Sequence, residues 1–581
     1  MVTITVVAVT LGFSALLTVF IISTTFAFTV AERREELARL SLAGATSGQI
    51  RRILLGEAVV LGIIGTVFGI PLGLPTMTAQ TWMLERLGII EPGFEVIWVP
   101  WFGAASLAIG VGLALAGVFV TARKGARVKP LEAFRGTESA SSALGGTRLV
   151  IGITLGAGAV VLLFLAPRGG PAGGQAMAML VSVLAVIATA VLAPAILPLA
   201  SRILPEPSGS VTLTVARANL RDAASRSAAT AAPLIVLVGL FVGQAVTQLS
   251  FSAASAIEMR SNITADLVVP GSVADAVRIS DAVGVDVVST EVSLPAEITT
   301  VTTSATGSGD DFGLTEIGRV LIVDPKDYMR VHHGASELTA LVAGTVAAGP
   351  GALLIEKEDH IGIRVGDTDL GRLPVAAVIP QSLAGGASLI LPSTAVPSAL
   401  LAQGESVSFV TLAEGFDRET VSPALRQAGE VQPFSEWADS AEKSALSSTN
   451  AVMVAVMGLG ALYAVLAVIN AIIISASSRG QEYSVLRSVG MRRRQILLMA
   501  LAEGFAIAVV GALIGLICAA GSAVATLGAT AAHVEVPVLT IPWALIAATA
   551  VGGVAVSVAS SVLVAARKTR PLPTRLAKRL P

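Results

Sequence analysis

The chain has 581 residues, of which 54% are hydrophobic and 14% charged, with a mean hydropathy of +0.79 and a net charge of -1. Soluble domains carry about 25% charged residues, so this composition excludes an ordinary soluble protein and places most of the chain in lipid. The single cysteine, Cys518, excludes an intrachain disulfide and sites built from several thiolates.

Long apolar runs predict nine membrane spans, because a membrane helix needs about 20 mostly apolar residues. The first run is too long for a signal peptide and lacks basic residues before it. The fourth is interrupted by a Gly-Ala-Gly sequence. The nine runs are 6–30, 53–77, 98–122, 148–166, 176–200, 229–250, 449–476, 497–522 and 539–566.

Polar segment 251–448 separates the sixth and seventh runs. Its short Val, Ile and Leu-rich stretches are broken by Gly, Pro and Asp, which predicts strands with a few helices. We therefore expect an α-helical polytopic membrane protein with about nine transmembrane helices and one α/β extracytoplasmic domain.

Basic residues are distributed very unevenly between the loops. One alternating set of loops and tails holds 26 Lys and Arg residues, whereas the opposite short loops hold 2. Positive loops stay in the cytoplasm, so the N-terminus and segment 251–448 are predicted outside and the C-terminus inside. We expect a multi-pass protein of a bacterial cell membrane.

An internal repeat relates residues 34–73 to residues 480–519 at a constant offset of 446. Each copy follows a long run, crosses a basic loop and enters the next run. The repeat predicts two homologous three-helix units, 1–124 and 449–568. The matched pairs are Glu36 with Glu482, Leu40 with Leu486, Gly44 with Gly490, Gln49 with Gln495, Ile50 with Ile496, Glu57 with Glu503, Gly65 with Gly511, and Gly69 with Gly515.

The loop within each copy is predicted to contain a short helix along the membrane surface. In the first copy Leu37, Leu40 and Gly44 fall on one helical face, and Gly44 is placed to end the helix. Such a helix could be an inert anchor. Its duplication at symmetric positions favours two docking points for a two-fold partner.

Two further features recur in both copies. Glycines at four-residue spacing predict a surface on which another helix packs closely: Gly65, Gly69 and Gly73 in the first copy, and Gly511 and Gly515 in the second. Glu57 and Glu503 stand at the cytoplasmic mouths of their spans, where an ionisable group is either functional or paired with a neighbouring Arg.

The second copy carries a recognisable signature. Glu482, Tyr483, Leu486, Arg487 and Gly490, within the segment Gln-Glu-Tyr-Ser-Val-Leu-Arg-Ser-Val-Gly, resemble the cytoplasmic signature of FtsX-like (MacB-type) ABC permeases. The first copy is weaker, with Leu37 and Ser41 replacing the Tyr and the Arg. Residues 216–221 are similar to the start of the second half of long duplicated members.

The resemblance covers the membrane portion and implies a type VII exporter fold. In that fold the loop helices dock on a dimeric ATPase, and the outer domain moves with nucleotide state. Gln49 and Gln495 are counted with the coupling residues of these loops. Long members usually have ten spans, so we expect either a shortened variant or a start further upstream. The remaining predicted parts are a linker at 125–147, a central helix pair at 148–203, a segment with the sixth span at 204–250, and a basic tail at 569–581.

The chain lacks the residues needed to hydrolyse ATP itself. No G-x4-G-K-[ST] motif occurs, so we expect no cofactor in this chain, with ATP and Mg²⁺ bound by a partner ABC ATPase, expected as a homodimer. His332, His333 and His360 lack helical ligand spacing, and we predict no metal site. Basic residues without interleaved aromatics argue against nucleic acid.

Three functions compete at this stage. The first is a permease subunit that couples ATP hydrolysis to export or extraction of a lipophilic or peptide-like substrate, with lipid and an outer accessory or client protein as further partners. The second is a transmembrane mechanical signaller that regulates a cell-wall hydrolase or a sensor. A secondary transporter is the weakest, because the spans hold almost no charged residues near the midplane.

Overall fold

The computed structural model describes residues 33–86, 99–125, 146–203, 224–302, 312–352, 355–444, 465–470, 485–534 and 536–568, with scattered residues between 12 and 30. Membrane-type helices flank one sheet domain, and the only strands among these residues lie between 267 and 433.

Seven helices in the described part of the chain are long and apolar enough to cross a membrane, and they match seven of the nine predicted spans, including the fourth. The first and seventh predicted spans lie largely outside the described residues. A short helix, α1 (Arg34–Leu42), precedes the first of the seven. The seven are α2 (Ser47–Arg86), α3 (Pro100–Gly125), α4 (Gly146–Leu165), α5 (Gly170–Ile203), α6 (Ala224–Asn262), α11 (Arg493–Ala531) and α12 (Trp543–Lys568).

Helix α6 is the centre of the bundle. It contacts α5, α11 and α12, and its membrane span is almost entirely enclosed by protein. Small residues allow this close approach: the Cα of Gly239 faces Val186 of α5 on one side and Gly515 of α11 on another. By contrast, α2 and α3 pack on each other and leave most of their surfaces uncovered by described protein.

Helix α6 is also much longer than a membrane is thick. Its 39 residues span about 58 Å, compared with a hydrocarbon core of about 30 Å. It runs without a break into the polar segment, and the first strand begins only at Leu267.

Half of the sheet domain is a four-stranded antiparallel sheet with the β-α-β plus β-α-β connectivity of a split βαβ fold. Its spatial order is β2-β8-β1-β9. One face packs on two of its helices through Ile279, Val421 and Leu425. The elements are β1 (Leu267–Gly271), α7 (Val273–Ser280), β2 (Val285–Thr302), β8 (Glu405–Leu412), α10 (Arg418–Leu425) and β9 (Gln432–Pro433), followed by helical residues 434–444.

The other half is a six-stranded barrel inserted between β2 and β8. Strand β2 belongs to both halves because it is 18 residues long. Pairing of β2 with β3 closes the ring β2-β3-β7-β4-β6-β5 around a core that includes Ile298, Ile322 and Leu389. The inserted elements are β3 (Phe312–Val323), α8 (Pro325–Val331), β4 (Val346–Ala348), β5 (His360–Val365), β6 (Thr368–Val378), β7 (Leu389–Pro392) and α9 (Ser398–Leu401).

The strand predictions agree with these elements, since the Val, Ile and Leu-rich stretches 265–269, 285–288, 319–323 and 373–379 overlap β1, β2, β3 and β6. The predicted separate domain of strands with a few helices is therefore present, and its split βαβ half is an antiparallel sheet. The barrel was not predicted, because its closure depends on the parallel pairings β3 with β7 and β4 with β6, which join distant segments.

Candidate functional site

The two repeat copies form closely matched turns where the chain enters a membrane helix. The short helices end at Gly44, with φ of +96°, and Gly490, with φ of +98°. That left-handed backbone favours glycine, which has no Cβ to clash. In each copy the residue after the glycine donates its N–H to a carbonyl five positions earlier at 3.0 Å, from Ala45 to Leu40 and from Met491 to Leu486.

Helix α1 packs on α2 through a face that includes Leu37. Leu37 and Ala38 are buried, and Leu37 lies in a cluster with Leu54 of α2. Leu40, expected beside Leu37, is 42% exposed, and Glu36 is also exposed. Leu37 therefore contacts α2 while Leu40 stays exposed, so Leu37, Leu40 and Gly44 do not pack on α2 as a unit.

The second copy presents exposed apolar side chains on the same short helix. Leu486 packs in a cluster with Ile496 and Met499, whereas Val485 and Val489 are exposed by 59% and 80%. Arg487 and Gly490 are also exposed. Glu482 and Tyr483 lie outside the described residues.

Gln49 and Gln495 cap the starts of their membrane helices. The backbone N–H of Thr46 donates to Gln49 Oε1 at 2.8 Å, and that of Arg492 donates to Gln495 Oε1 at 2.8 Å. These residues stand three positions after the first capped residue, as in a capping box. Matching glutamines in the repeat therefore have a local structural role.

The two membrane-mouth carboxylates have different surroundings. Arg33 Nη1 donates to Glu57 Oε1 at 2.8 Å, and this hydrogen bond, followed by the charge of Glu57, raises the pKa of Arg33. Glu503, its repeat counterpart, is only 3% exposed. The Arg at position 479 occupies the same repeat position as Arg33 but lies outside the described residues.

The two glycine stripes differ more strongly. A Cβ built at Gly515 would lie 2.9 Å from both the Gly239 nitrogen and the Val238 Cβ, and one at Gly511 would lie 3.2 Å from the Ala231 oxygen. The predicted close packing is therefore present for α11 against α6. Built at Gly65, Gly69 or Gly73 of α2, a Cβ would have no described atom outside its own helix within 4 Å.

Buried polar contacts between helices were missed by the sequence analysis. Gln244 Nε2 donates to Ser182 Oγ at 3.0 Å, and the hydroxyls of Thr247 and Thr526 are 3.0 Å apart. These contacts fasten α5 and α11 to α6. Polar residues on a small-residue face inside predicted spans are the signal that could have found them.

The first and second repeat copies also meet through polar side chains. Asn470 Nδ2 donates to Thr25 Oγ1 at 2.7 Å, which joins the described residues of the first and seventh predicted spans. Asn470 stands at the repeat position of Thr24, next to Thr25. The two copies thus contact each other through equivalent helices.

The adjacent histidines His332 and His333, which were considered as metal ligands, have different partners in the sheet domain. His332 bonds Glu291 and stacks on Tyr328 with ring centroids 4.0 Å apart. His333 Nε2 lies 2.7 Å from Thr264 Oγ1. Burial, and then the charge of Glu291, raises the pKa of Tyr328.

The two repeat copies match one known protein family. The family model described as FtsX-like permease C-terminal matches residues 8–130 and 454–571, and these matches begin at the same 446-residue offset that relates the repeat copies. An uncharacterized ABC transporter permease of Methanocaldococcus jannaschii is 29% identical over 115 residues, or 20% of this chain. The match spans 28% of that relative's length.

Proposed function

Because the chain is a member of the FtsX-like family of permeases, we propose that this multi-pass membrane protein is the permease subunit of an ABC transporter driven by a separate ATPase. The family relationship carries this proposal. It extends to the expectation that ATP and Mg²⁺ bind in the partner, since the chain has no P-loop.

The matched geometry of the two short helices supports a two-fold ATPase as that partner. Each copy closes with a left-handed glycine and leads into a capped membrane helix. Each also leaves apolar side chains exposed beside charged ones: Leu40 and Leu42 near Glu36 in the first copy, and Val485 and Val489 near Arg487 in the second. An apolar centre rimmed by charge is the usual composition of a protein interface.

Transport would follow from movement of the helix bundle. We propose that nucleotide binding in the ATPase dimer draws the two repeat copies together and that the sheet domain follows, exporting or extracting a lipophilic or peptide-like substrate. The excess of Lys and Arg in one set of loops supports a cytoplasmic position for the short helices and an outer position for the sheet domain.

Affinity purification tests the proposal directly. The tagged chain is purified from its native membrane in mild detergent, and co-purifying proteins are identified by mass spectrometry. We expect an ABC ATPase with the wild type and at least about a tenfold loss with Glu36→Lys plus Val489→Asp, because charge is introduced or reversed at two exposed positions. Glu414→Lys, an exposed change in the sheet domain, is the matched control.

The same sample reports the composition of the complex. One chain contains both repeat copies, so we expect one permease and two ATPase subunits by native mass spectrometry. Absence of any ABC ATPase from the wild-type sample would overturn the proposed function, and two copies of the permease would overturn the stoichiometry.

A further inference from the structure

The barrel contacts the helix bundle through the loop at 379–388, which connects β6 and β7. Leu383, at the tip of this loop, packs into a cluster formed by the sheet-domain ends of the bundle helices. The cluster joins α5, α6 and α11 with the turn before α5. Its buried members are Ala166, Ala178, Val181, Phe251, Ala525 and Ala529.

Glu258 of α6 holds the same loop by hydrogen bonds. Its Oε2 accepts from the backbone N–H of Leu383 at 2.6 Å, the hydroxyl of Ser382 at 2.8 Å and the N–H of Ala384 at 3.3 Å. The residue is only 8% exposed. Hydrogen bonds to an ionised acceptor are stronger than neutral ones, particularly away from bulk water.

The loop is in turn firmly attached to the barrel. Gln381 Nε2 donates to the Ala352 carbonyl at 3.1 Å, and the N–H of Gly351 donates to the Ala387 carbonyl at 3.0 Å. Gly385 and Gly386 adopt positive φ, which allows the sharp return into β7. A displacement of the loop therefore displaces the barrel wall.

Glu258 lies near the end of α6 that leads into the sheet domain, on a helix that also packs in the bundle. Helix α6 is continuous from Ala224 to Asn262 and packs on α11, which begins directly after the second short helix. Two residues after Glu258, Arg260 donates to Asp439 at 2.7 Å and to Glu442 at 2.5 Å, which binds the helical residues 434–444 to α6.

We propose that Glu258 is a positioning residue that fastens the 379–388 loop to α6, so that the barrel moves with the helix bundle when the ATPase changes state. The path runs from the second short helix through α11 and α6 to Glu258, and then through the loop to the barrel. This inference rests on the proposed function for its driving force, whereas the attachment itself does not.

Hydrogen exchange of the purified full chain tests the attachment without an ATPase. Glu258→Ala removes the acceptor, and we expect the amide of Leu383, which donates to Glu258 at 2.6 Å, to exchange at least about tenfold faster. The amide of Ala384 should change less, because it also donates to Ser382 Oγ at 3.1 Å. Glu258→Gln keeps a neutral acceptor, so its exchange rates should lie between those of wild type and Glu258→Ala. The control Glu414→Gln should match wild type, and unchanged exchange in Glu258→Ala would overturn the attachment.

Distance measurements test the coupling. In a Cys518→Ala background, spin labels at Ile317→Cys on the barrel and Trp101→Cys at the start of α3, both exposed, report the separation of the barrel from the first repeat copy in lipid nanodiscs with the co-purified ATPase. We expect the wild-type separation to differ between ATP-bound and nucleotide-free states. Glu258→Ala should lose at least half of that difference while ATP binding is retained.

The outcomes separate the two proposals. An undiminished distance change in Glu258→Ala overturns the coupling role, even where exchange confirms the contact. A wild-type chain that recruits no ATPase overturns the proposed function and with it the driven movement. If Glu258→Ala fails to fold, Ser382→Ala removes one hydrogen-bond donor and leaves the Glu258 carboxylate in place. This variant should reduce the nucleotide-dependent distance change by less than half.

Discussion

Single residues fix where the candidate docking helices end and the membrane helices begin. Gly44 and Gly490 close the short helices, and Gln49 and Gln495 cap the helices that follow. The sequence predicted all four as parts of an element that couples to the ATPase. The hydrogen bonds show that Gln49 and Gln495 cap their own helices. Sequence matching alone could not distinguish this local role from contact with a partner.

Substitutions at Gln495 can distinguish a helix-capping role from direct contact with the ATPase. Gln495→Ala should destabilise the start of α11 by about 1 kcal/mol, because the N–H of Arg492 loses its acceptor. Gln495→Glu keeps an acceptor and adds a negative charge at a helix N-terminus, so it should retain stability and ATPase recruitment. Thermal unfolding measures the stability of each variant, and co-purification measures its ATPase recruitment. Loss of ATPase from Gln495→Glu at wild-type stability would instead indicate direct contact.

Tyr328 gives the sheet domain a defined sensitivity to alkaline pH. Its folded pKa is raised, chiefly by burial, so the neutral phenol stabilises the fold at every pH below the unfolded tyrosine value of about 10. That contribution is lost as the pH rises from there toward the folded pKa. Tyr328→Phe cannot ionise, so unfolding midpoints between pH 8 and 11 should fall less than in wild type. Equal falls would show that Tyr328 makes no contribution.

At the scale of elements, equivalent helices have different neighbours. Helix α11 presses its glycine stripe on α6, whereas the stripe of α2 has no described atom outside its own helix within contact distance. The repeat predicted equal stripes because it reports composition along one helix. Contact requires a second helix, and which helix covers a stripe is decided by the assembled bundle.

This asymmetry provides a matched pair of substitutions. Gly515→Val should cost about 1–3 kcal/mol, because its Cβ would meet the Gly239 nitrogen and Val238. Gly69→Val introduces the same β-branched residue at the same repeat position, where no described atom outside α2 lies within 4 Å of the added Cβ, and its cost should stay within about 0.5 kcal/mol. Chemical unfolding in detergent compares the two. Equal costs would mean that the stripe of α2 is also covered.

At the scale of the whole molecule, the charge of the loops predicts that the sheet domain and the short helices lie at opposite membrane surfaces. Their separation follows from the odd number of spans between them and from the basic loops. Orientation is therefore testable with two exposed positions, Val342 in the sheet domain and Leu42 on α1.

Cysteine labelling tests the orientation. In a Cys518→Ala background, Val342→Cys should react with a membrane-impermeant maleimide on intact cells. Leu42→Cys should react only after permeabilisation, because positive loops remain in the cytoplasm. Permeabilised cells give the total reactivity of both variants. The reverse pattern would show that the charge bias has been misread.

Composition and periodicity alone determined the membrane character, seven spans that the structure describes, the position of the sheet domain and the repeat. These are local properties, since about 20 apolar residues or one glycine in a left-handed turn act within a single segment. Only the tertiary structure decided that Leu40 faces outward, that one glycine stripe is covered, that six strands close into a barrel and that Glu258 holds the loop at 379–388. Each of these depends on contacts between residues far apart in the chain, and local sequence patterns do not specify which distant segments meet.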